Sequence, residues 1–382
     1  MPSPLSGLTI IDLTHVLAGP YCSMLLSDLG ATVIKVERPG VGDDTRAFPP
    51  FVDGESAYFA TINHGKKSIV LNLKQDEDRE IFEKLLDRAD VLLENYRPGV
   101  MERMGYGWET LHEKFPKLIY GAVSGFGHSG PDMLRPAYDM VVQARGGVMS
   151  ITGEKDREPV RVGASIGDIV AGMFLTHGVL AAVIERQKTG KGSKVDVAML
   201  DSQLAILEHA IALTAVNGVA PGPSGARHPS ITPFETFHAS DGLFVIAAGN
   251  DVLFKKLCHA LQLPLADDPR FSNNPARCEN ARLLKRMIEA ETLQKPKKHW
   301  INLLEEEGIP TGPIQSIDQV MEDPQILARH MVVDILDENG APKYKSAGNP
   351  IKMSTLEDGT TRSAAPRLDA NREEILDWLE RG

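Results

Sequence analysis

The sequence predicts an α/β protein: a larger domain built on a mostly parallel sheet with helices on both faces, and a smaller α+β domain. Three observations carry this expectation. Short apolar runs rich in β-branched residues alternate with segments of helical period through the first half. The stretch Gly218 to Pro233 is rich in Gly, Pro and Ser and reads as a linker. Beyond it, Phe234 to Phe237 and Leu243 to Ala247 flank Ser240-Asp241-Gly242, a hairpin signal.

The elements follow in order. Leu8 to Leu13 reads as a strand, Tyr21 to Leu29 as a helix stopped by Gly30, and Ala31 to Val36 as a second strand. Ser68 to Leu73 is a third strand. Asp78 to Ala89 places Ile81, Phe82, Leu85 and Leu86 at helical spacing, and Val91 to Leu93 and Leu118 to Val123 return to strand. Tyr138 to Ala144, Asp168 to Glu185 and Asp201 to Val216 read as helices, with Lys194 to Ala198 a strand between the last two. Helical patterns dominate from Asp251 to about Glu307, where Gly308 is a terminator. The tail, with Met331 to Asp337 and a last helix Asn371 to Leu379, has no obvious core of its own. For 382 residues the prior is about two or three domains. The tail packs back on the first domain or on a partner, and the expected division is two domains: 1–217 with 324–382 returning to it, and 234–323 as the smaller domain after the linker 218–233. The larger one is a Rossmann-like, doubly wound sheet.

Composition excludes several functions. Lys and Arg total 41 against 52 Asp and Glu, a net charge of −11, which argues against nucleic acid or a membrane surface as partner. A few placed cations can still hold an anionic small ligand. Cys22, Cys258 and Cys278 exclude a disulfide framework and a four-cysteine zinc site, and reduced, buried thiols fit a cytoplasmic protein. The expectation is of no signal peptide and no membrane span. The longest apolar run, Ile169 to Ile184, is shorter than the roughly 18 to 20 residues a span needs. No metal is expected, with His128, His228 and His238 read as loop or packing residues.

In open parallel sheets ligands bind beyond the carboxyl ends of the strands. That rule directs attention to His15, Arg38, Asn95 and the turn Ser124 to Gly127. No Gly-rich nucleotide fingerprint follows the first strand, which runs into Thr14-His15-Val16-Leu17-Ala18-Gly19-Pro20. Asp168 opens the most apolar helix in the chain. Position suits it to cap that helix. Equally, it could be a carboxylate nucleophile kept ionised by the helix N–H groups, with Gly163, Ala164 and Gly167 leaving room for an acyl group. Spacing leaves both open. Arg38, Lys74, Arg97 and Arg103 lie at strand ends, either as solvated surface charges or as a shared cradle for an anion.

Several motifs bear a resemblance. Ile11-Asp12-Leu13-Thr14-His15 through Pro20, Ile34-Lys35-Val36-Glu37-Arg38-Pro39-Gly40 and Glu94-Asn95-Tyr96-Arg97-Pro98-Gly99 occur in order. Ser124-Gly125-Phe126-Gly127-His128-Ser129-Gly130-Pro131 and Thr189-Gly190-Lys191-Gly192 before Val195-Asp196-Val197-Ala198-Met199 follow. Together they resemble class III coenzyme A transferases (CaiB/BaiF type) along essentially the whole chain. The resemblance implies that Asp168 is the nucleophile. It implies CoA contacts at His15, Val16, Leu17 and Ala18, at Arg38, at Leu71, Asn72, Leu73 and Lys74, at Asn95, Tyr96 and Arg97, at Arg103, and at Pro136, Ala137, Tyr138 and Asp139. Tyr58 and Tyr138 match aromatic positions near the acyl and oxalate site.

Within the family the chain is similar to members that move CoA from acetyl-CoA to oxalate, and next to those using formyl-CoA. The latter carry a glutamine where Leu17 stands and a longer glycine run than the one around Gly249. The related α-methylacyl-CoA racemases need a histidine where this chain has Ala137, which leaves that chemistry one base short. The resemblance implies no tightly bound cofactor, acyl-CoA and small carboxylates as substrates, and an interlocked homodimer. Covalent transfer requires water to be excluded, and Ala248-Gly249-Asn250 is the candidate lid and source of backbone amides.

Overall fold

A computed structural model describes residues 3–381. The chain divides into two compact units, one of Met1–Met149, Arg161–Ala220 and Asp323–Gly382, the other of Ser150–Val160 and Pro221–Glu322. The short segment Ser150–Val160, which the sequence placed in the larger domain, joins the smaller unit instead. There the Gly225 N–H donates to the Gly153 carbonyl (2.9 Å).

The larger unit is built on six strands: Thr9–Asp12 (β1), Thr32–Glu37 (β2), Lys67–Val70 (β3), Val91–Glu94 (β4), Ile119–Ser124 (β5) and Lys194–Ala198 (β6). They pair in the order β3-β2-β1-β4-β5-β6, and every pairing is parallel. The order reverses between β1 and β4, which makes their carboxyl ends the place for a ligand. Successive side chains of a strand point to opposite faces. Accordingly Ile10, Val33, Val91 and Leu93 pack on one face, against Cys22, Leu26, Leu175 and Val179. Their neighbours Ile11, Ile34 and Leu92 pack on the other, against Phe82, Leu85 and Leu86. Ile375, from the last helix, Arg372–Glu380, completes that second face, so the tail has a core because the sheet supplies it.

Three helices matter for the site: Ala18–Asp28 (α1), Asp139–Arg145 (α2) and Ile166–Thr189 (α3). α3 runs to 24 residues, longer than its apolar run suggested, and is long and apolar enough to cross a membrane by length and composition. Its Ala171, Leu175, Val179 and Ala182 are core residues of the sheet. Gly172 lets α1 come close, since a Cβ there would lie 2.6 Å from the Ala18 carbonyl oxygen. The helix expected over Asp201 to Val216 is two, Met199–Ala205 and Glu208–Asn217, bent by 69°.

The smaller unit pairs Phe234–Ala239 (β7), Gly242–Ala247 (β8) and Thr311–Pro313 (β9) as an antiparallel sheet. Phe237, Phe244 and Ile246 pack there against Phe254, Leu257, Leu284 and Trp300. Ala239 pairs with Gly242, so the hairpin turns on Ser240-Asp241 as its residues suggest. Gly308 takes a left-handed φ of 73° just after the helix Lys297–Glu306.

Candidate active site

A cleft of about 400 Å³ opens in the larger unit at the carboxyl ends of β1, β4 and β5. Three loops and one helix build it. The loop after β1 contributes His15, Val16, Leu17 and Ala18, and the loop after β4 contributes Asn95, Tyr96 and Arg97. Pro136, Ala137 and Tyr138 precede α2, and Asp168 comes from the first turn of α3. The first two loops are tied directly. Asn95 Oδ1 accepts the His15 N–H (2.9 Å) and Asn95 Nδ2 donates to the His15 carbonyl (2.7 Å). One amide side chain thus satisfies both backbone groups of a residue 80 positions away, across the point where strand order reverses.

Ser124, which ends β5, and Gly125 just after it also line the cleft. A Cβ on Gly125 would sit 2.2 Å from the Ala137 methyl, so glycine is required for the segment before α2 to close over β5. Met133, Arg135 and Met199 line it as well and were not singled out from the sequence. Met199 ends a motif quoted above, whereas nothing local marks Met133.

Asp168 is not the cap of its helix. Ser165 holds the N-cap position and its side chain makes no capping bond. The helix start is secured from α2: Asp139 Oδ1 accepts the Gly167 N–H (2.8 Å), and Asp139 Oδ2 accepts Gln143 Nε2 (2.8 Å). Gln143 Oε1 in turn accepts the Val162 N–H (2.9 Å). Relieved of capping, the half-buried Asp168 carboxyl has no hydrogen bond or ion pair to any described residue. Burial, and then the charge of Asp139, push its pKa up to about 7. The helix start therefore does not keep it firmly ionised, contrary to the sequence expectation. A nucleophile at this position would act only as the carboxylate, so with Asp168 in that role kcat/KM would rise about tenfold per pH unit toward a midpoint near 7 and level above it. Asp139→Asn should move that midpoint to lower pH. A pH–rate profile of both proteins checks this, and a midpoint near 4 in the wild type would contradict it.

The remaining expected residues are spread more widely. Arg38 lies in a neighbouring recess of about 80 Å³ shared with His15, Lys35 and Tyr96. It pairs with Asp44 and donates to the Gly42 carbonyl (3.0 Å). Arg97 is in the cleft, and neither it nor Arg103 has an ion-pair partner among the described residues. Leu71 is a core residue, and Asn72, Leu73 and Lys74 do not line the cleft, although Asn72 Oδ1 orders the turn by accepting the Lys74 N–H (3.2 Å). Tyr58 lies outside the lining but within the field of the site. Burial, then the charges of Asp168, Asp43 and Asp139, raise its phenol pKa. Tyr138 is exposed at the cleft.

Gly249 and Asn250 belong to the smaller unit. Asn250 caps the helix Asp251–Ala260 by accepting the Leu253 N–H (2.8 Å), and the Gly249 carbonyl accepts Arg277 Nη2 (2.9 Å). His128, read as a packing residue, lies 3.6 Å from Glu94 and accepts from Lys194 Nζ (3.0 Å). The three cysteines are free, and burial raises the Cys22 thiol to about 12 and Cys258 to about 11. No group of His, Cys, Asp and Glu among the described residues could hold a metal ion.

The family model described as CoA-transferase family III matches residues 5–372. The chain belongs to CoA-transferase family III. It is 45% identical to the acetyl-CoA:oxalate CoA-transferase of Acetobacter aceti, covering 96% of this chain and 93% of that one. It is 42% identical to the succinyl-CoA:mesaconate CoA-transferase of Haloarcula hispanica, over 98% and 96%. A CAIB/BAIF family protein from Brucella suis has the same fold, with a TM-score of 0.88, 38% identity and full coverage of both chains. This member is thus an enzyme of the CoA-transferase type whose substrates are CoA thioesters.

Proposed function

We propose that the enzyme moves CoA from acetyl-CoA to oxalate by covalent catalysis on Asp168. The observation that carries the reading is a half-buried carboxyl with no hydrogen-bond or ion-pair partner among the described residues, at a cleft at the sheet's switch point. Similarity to the Acetobacter aceti enzyme supports this choice of donor and acceptor.

The chemistry balances without any external acid or base. The Asp168 carboxylate attacks the acetyl carbonyl carbon, the C–S bond breaks, and CoA leaves as thiolate from an acetyl-aspartyl anhydride. The thiolate attacks the aspartyl carbonyl, releasing acetate and forming an aspartyl-CoA thioester. A carboxylate oxygen of oxalate attacks that thioester, giving an oxalyl-aspartyl anhydride and thiolate again. Thiolate attack on the oxalyl carbonyl yields oxalyl-CoA and returns Asp168 as carboxylate. Each step exchanges one activated acyl bond for another, so exclusion of water, not proton transfer, is the main demand on the protein.

Hydroxylamine added during turnover should trap the acyl-enzyme as a hydroxamate on Asp168, located by mass spectrometry. Modification elsewhere would reject the mechanism. Donor and acceptor are tested by pairing acetyl-, formyl- and succinyl-CoA with oxalate, mesaconate and glutarate. A preference for succinyl-CoA would reject the acetyl-CoA assignment and leave the covalent mechanism standing.

A homodimer is part of the proposal. The helix Glu208–Asn217 buries none of its residues, and Met173, Phe174, Leu204, Ile211 and Val216 are exposed. Apolar surface of this kind is costly to leave in water and suits a second copy of the chain. Sedimentation equilibrium should give twice the mass of one chain, and a monomer at micromolar concentration would refute this.

A further inference from the structure

The loop after β1 adopts a conformation that its own sequence disfavours. Val16 has a φ of 67°, in the left-handed region that β-branched residues rarely enter. Such a residue persists where its surroundings over-determine it. Here the surroundings are four buried charges that do not line the cleft. Lys35, on β2, donates to the Thr14 carbonyl (2.7 Å) and pairs with Asp43 (2.9 Å). Asp43 accepts the Val16 N–H (3.3 Å), and is itself fixed by the Thr45 N–H (2.9 Å) and hydroxyl (2.7 Å). Asp12, ending β1, accepts the Thr14 N–H (2.9 Å) and the Ser23 hydroxyl (2.6 Å). Lys66, just before β3, donates to Asp12 (3.2 Å), to Ser23 Oγ (2.7 Å) and to the Pro20 carbonyl (3.2 Å).

Thr14 N–H and C=O, Val16 N–H and Pro20 C=O therefore all end on a buried charge. The intervening residues His15–Ala18 form one wall of the cleft beside Asp168. Buried ion pairs contribute little net stability compared with apolar residues of the same shape, but they define a conformation sharply because any rearrangement strands a charge. We propose that the pairs Lys35–Asp43 and Lys66–Asp12 are positioning devices that hold His15–Ala18 in the conformation that receives the thioester arm of an acyl-CoA. The inference rests on the CoA-transferase reading above and assigns the four residues no part in the chemistry.

The test is equilibrium binding of CoA to the full-length protein by calorimetry, alongside thermal unfolding. Lys35→Met is expected to weaken binding about tenfold, because the competent loop becomes a minor conformer. Adding Val16→Gly should recover about threefold of that loss, since glycine enters the left-handed region without a steric penalty. The paired variant K35M/D43N, which leaves neither partner of that pair charged, guards against failure to fold and should also bind about tenfold more weakly. A network that only supports the fold would lower the unfolding temperature while leaving the affinity of the folded variants at the wild-type value, and that result overturns the proposal. Absence of CoA binding by the wild type would bring down both readings. Wild-type binding with unchanged K35M and K35M/D43N would bring down this one alone.

Discussion

Replacing Asp168 with alanine is expected to lower acyl transfer by on the order of 10⁴-fold or more while CoA still binds, because the variant loses the only group proposed to form a covalent bond to substrate. The fold should tolerate the change. Asp168 makes no hydrogen bond or ion pair with a described residue, and its helix start is held by Asp139 through Gly167. The sign of the ionisation effect points the same way. A carboxyl raised to about 7 in the native state, above its value in the unfolded chain, contributes full stability only at acid pH and loses it as pH rises through 7. At pH 8 the variant should therefore unfold no earlier than the wild type. Steady-state turnover, CoA calorimetry and thermal unfolding of one preparation separate the possibilities. Substantial residual turnover would remove Asp168 as nucleophile, whereas CoA binding without turnover in the wild type would indicate a binding protein instead of an enzyme.

The second large effect lies in the smaller unit. Arg277 is fully buried there, yet its guanidinium satisfies three carbonyls: Thr232 (2.8 Å), Phe271 (3.2 Å) and Gly249 (2.9 Å). It also pairs with Asp251 (2.8 Å) and lies over the Phe254 ring. Arg277→Met would leave buried acceptors without donors, and a destabilisation of about 3 to 5 kcal/mol is expected. Arg277→Lys should recover little of it, since one ammonium cannot span the guanidinium's fork of donors. Trp300 is buried in the same unit and reports on it, whereas Trp108 and Trp378 pack on the core of the larger unit. Urea unfolding followed with Trp300 as sole tryptophan should show the lowered midpoint, and an unchanged midpoint would mean that the carbonyls find other donors.

Some of this was legible in the sequence and some was not. Short apolar runs between segments of helical period marked β1, β2 and β4 as strands of a parallel sheet, and the strand ends pointed to His15, Arg38 and Asn95. The resemblance to class III CoA-transferases pointed to Asp168, and the structure places it in the cleft with His15 and Asn95. The reading of Asp168 as a helix cap did not survive, because the helix begins two residues earlier and Asp139 takes the N–H that a cap would take. The lid expected at Ala248-Gly249-Asn250 lies in the smaller unit, where the Gly249 carbonyl accepts from Arg277 and the Asn250 side chain caps a helix. The grips of Asp139 on Gly167 and of Arg277 on Gly249 could not be seen from spacing, since both partners lie in other elements.

The opening expectation of a parallel α/β sheet with a second, smaller α+β unit therefore rests on the sequence alone. Side-chain periodicity follows from local backbone geometry, and the chain carries it wherever it folds. Tertiary structure decided what the site can do. It set the grip of Asn95 on His15, the left-handed turn at Val16 and the raised pKa of Asp168. Hydrogen bonds between distant segments and the desolvation of a carboxyl exist only once the packed state brings those groups together and removes water from around them.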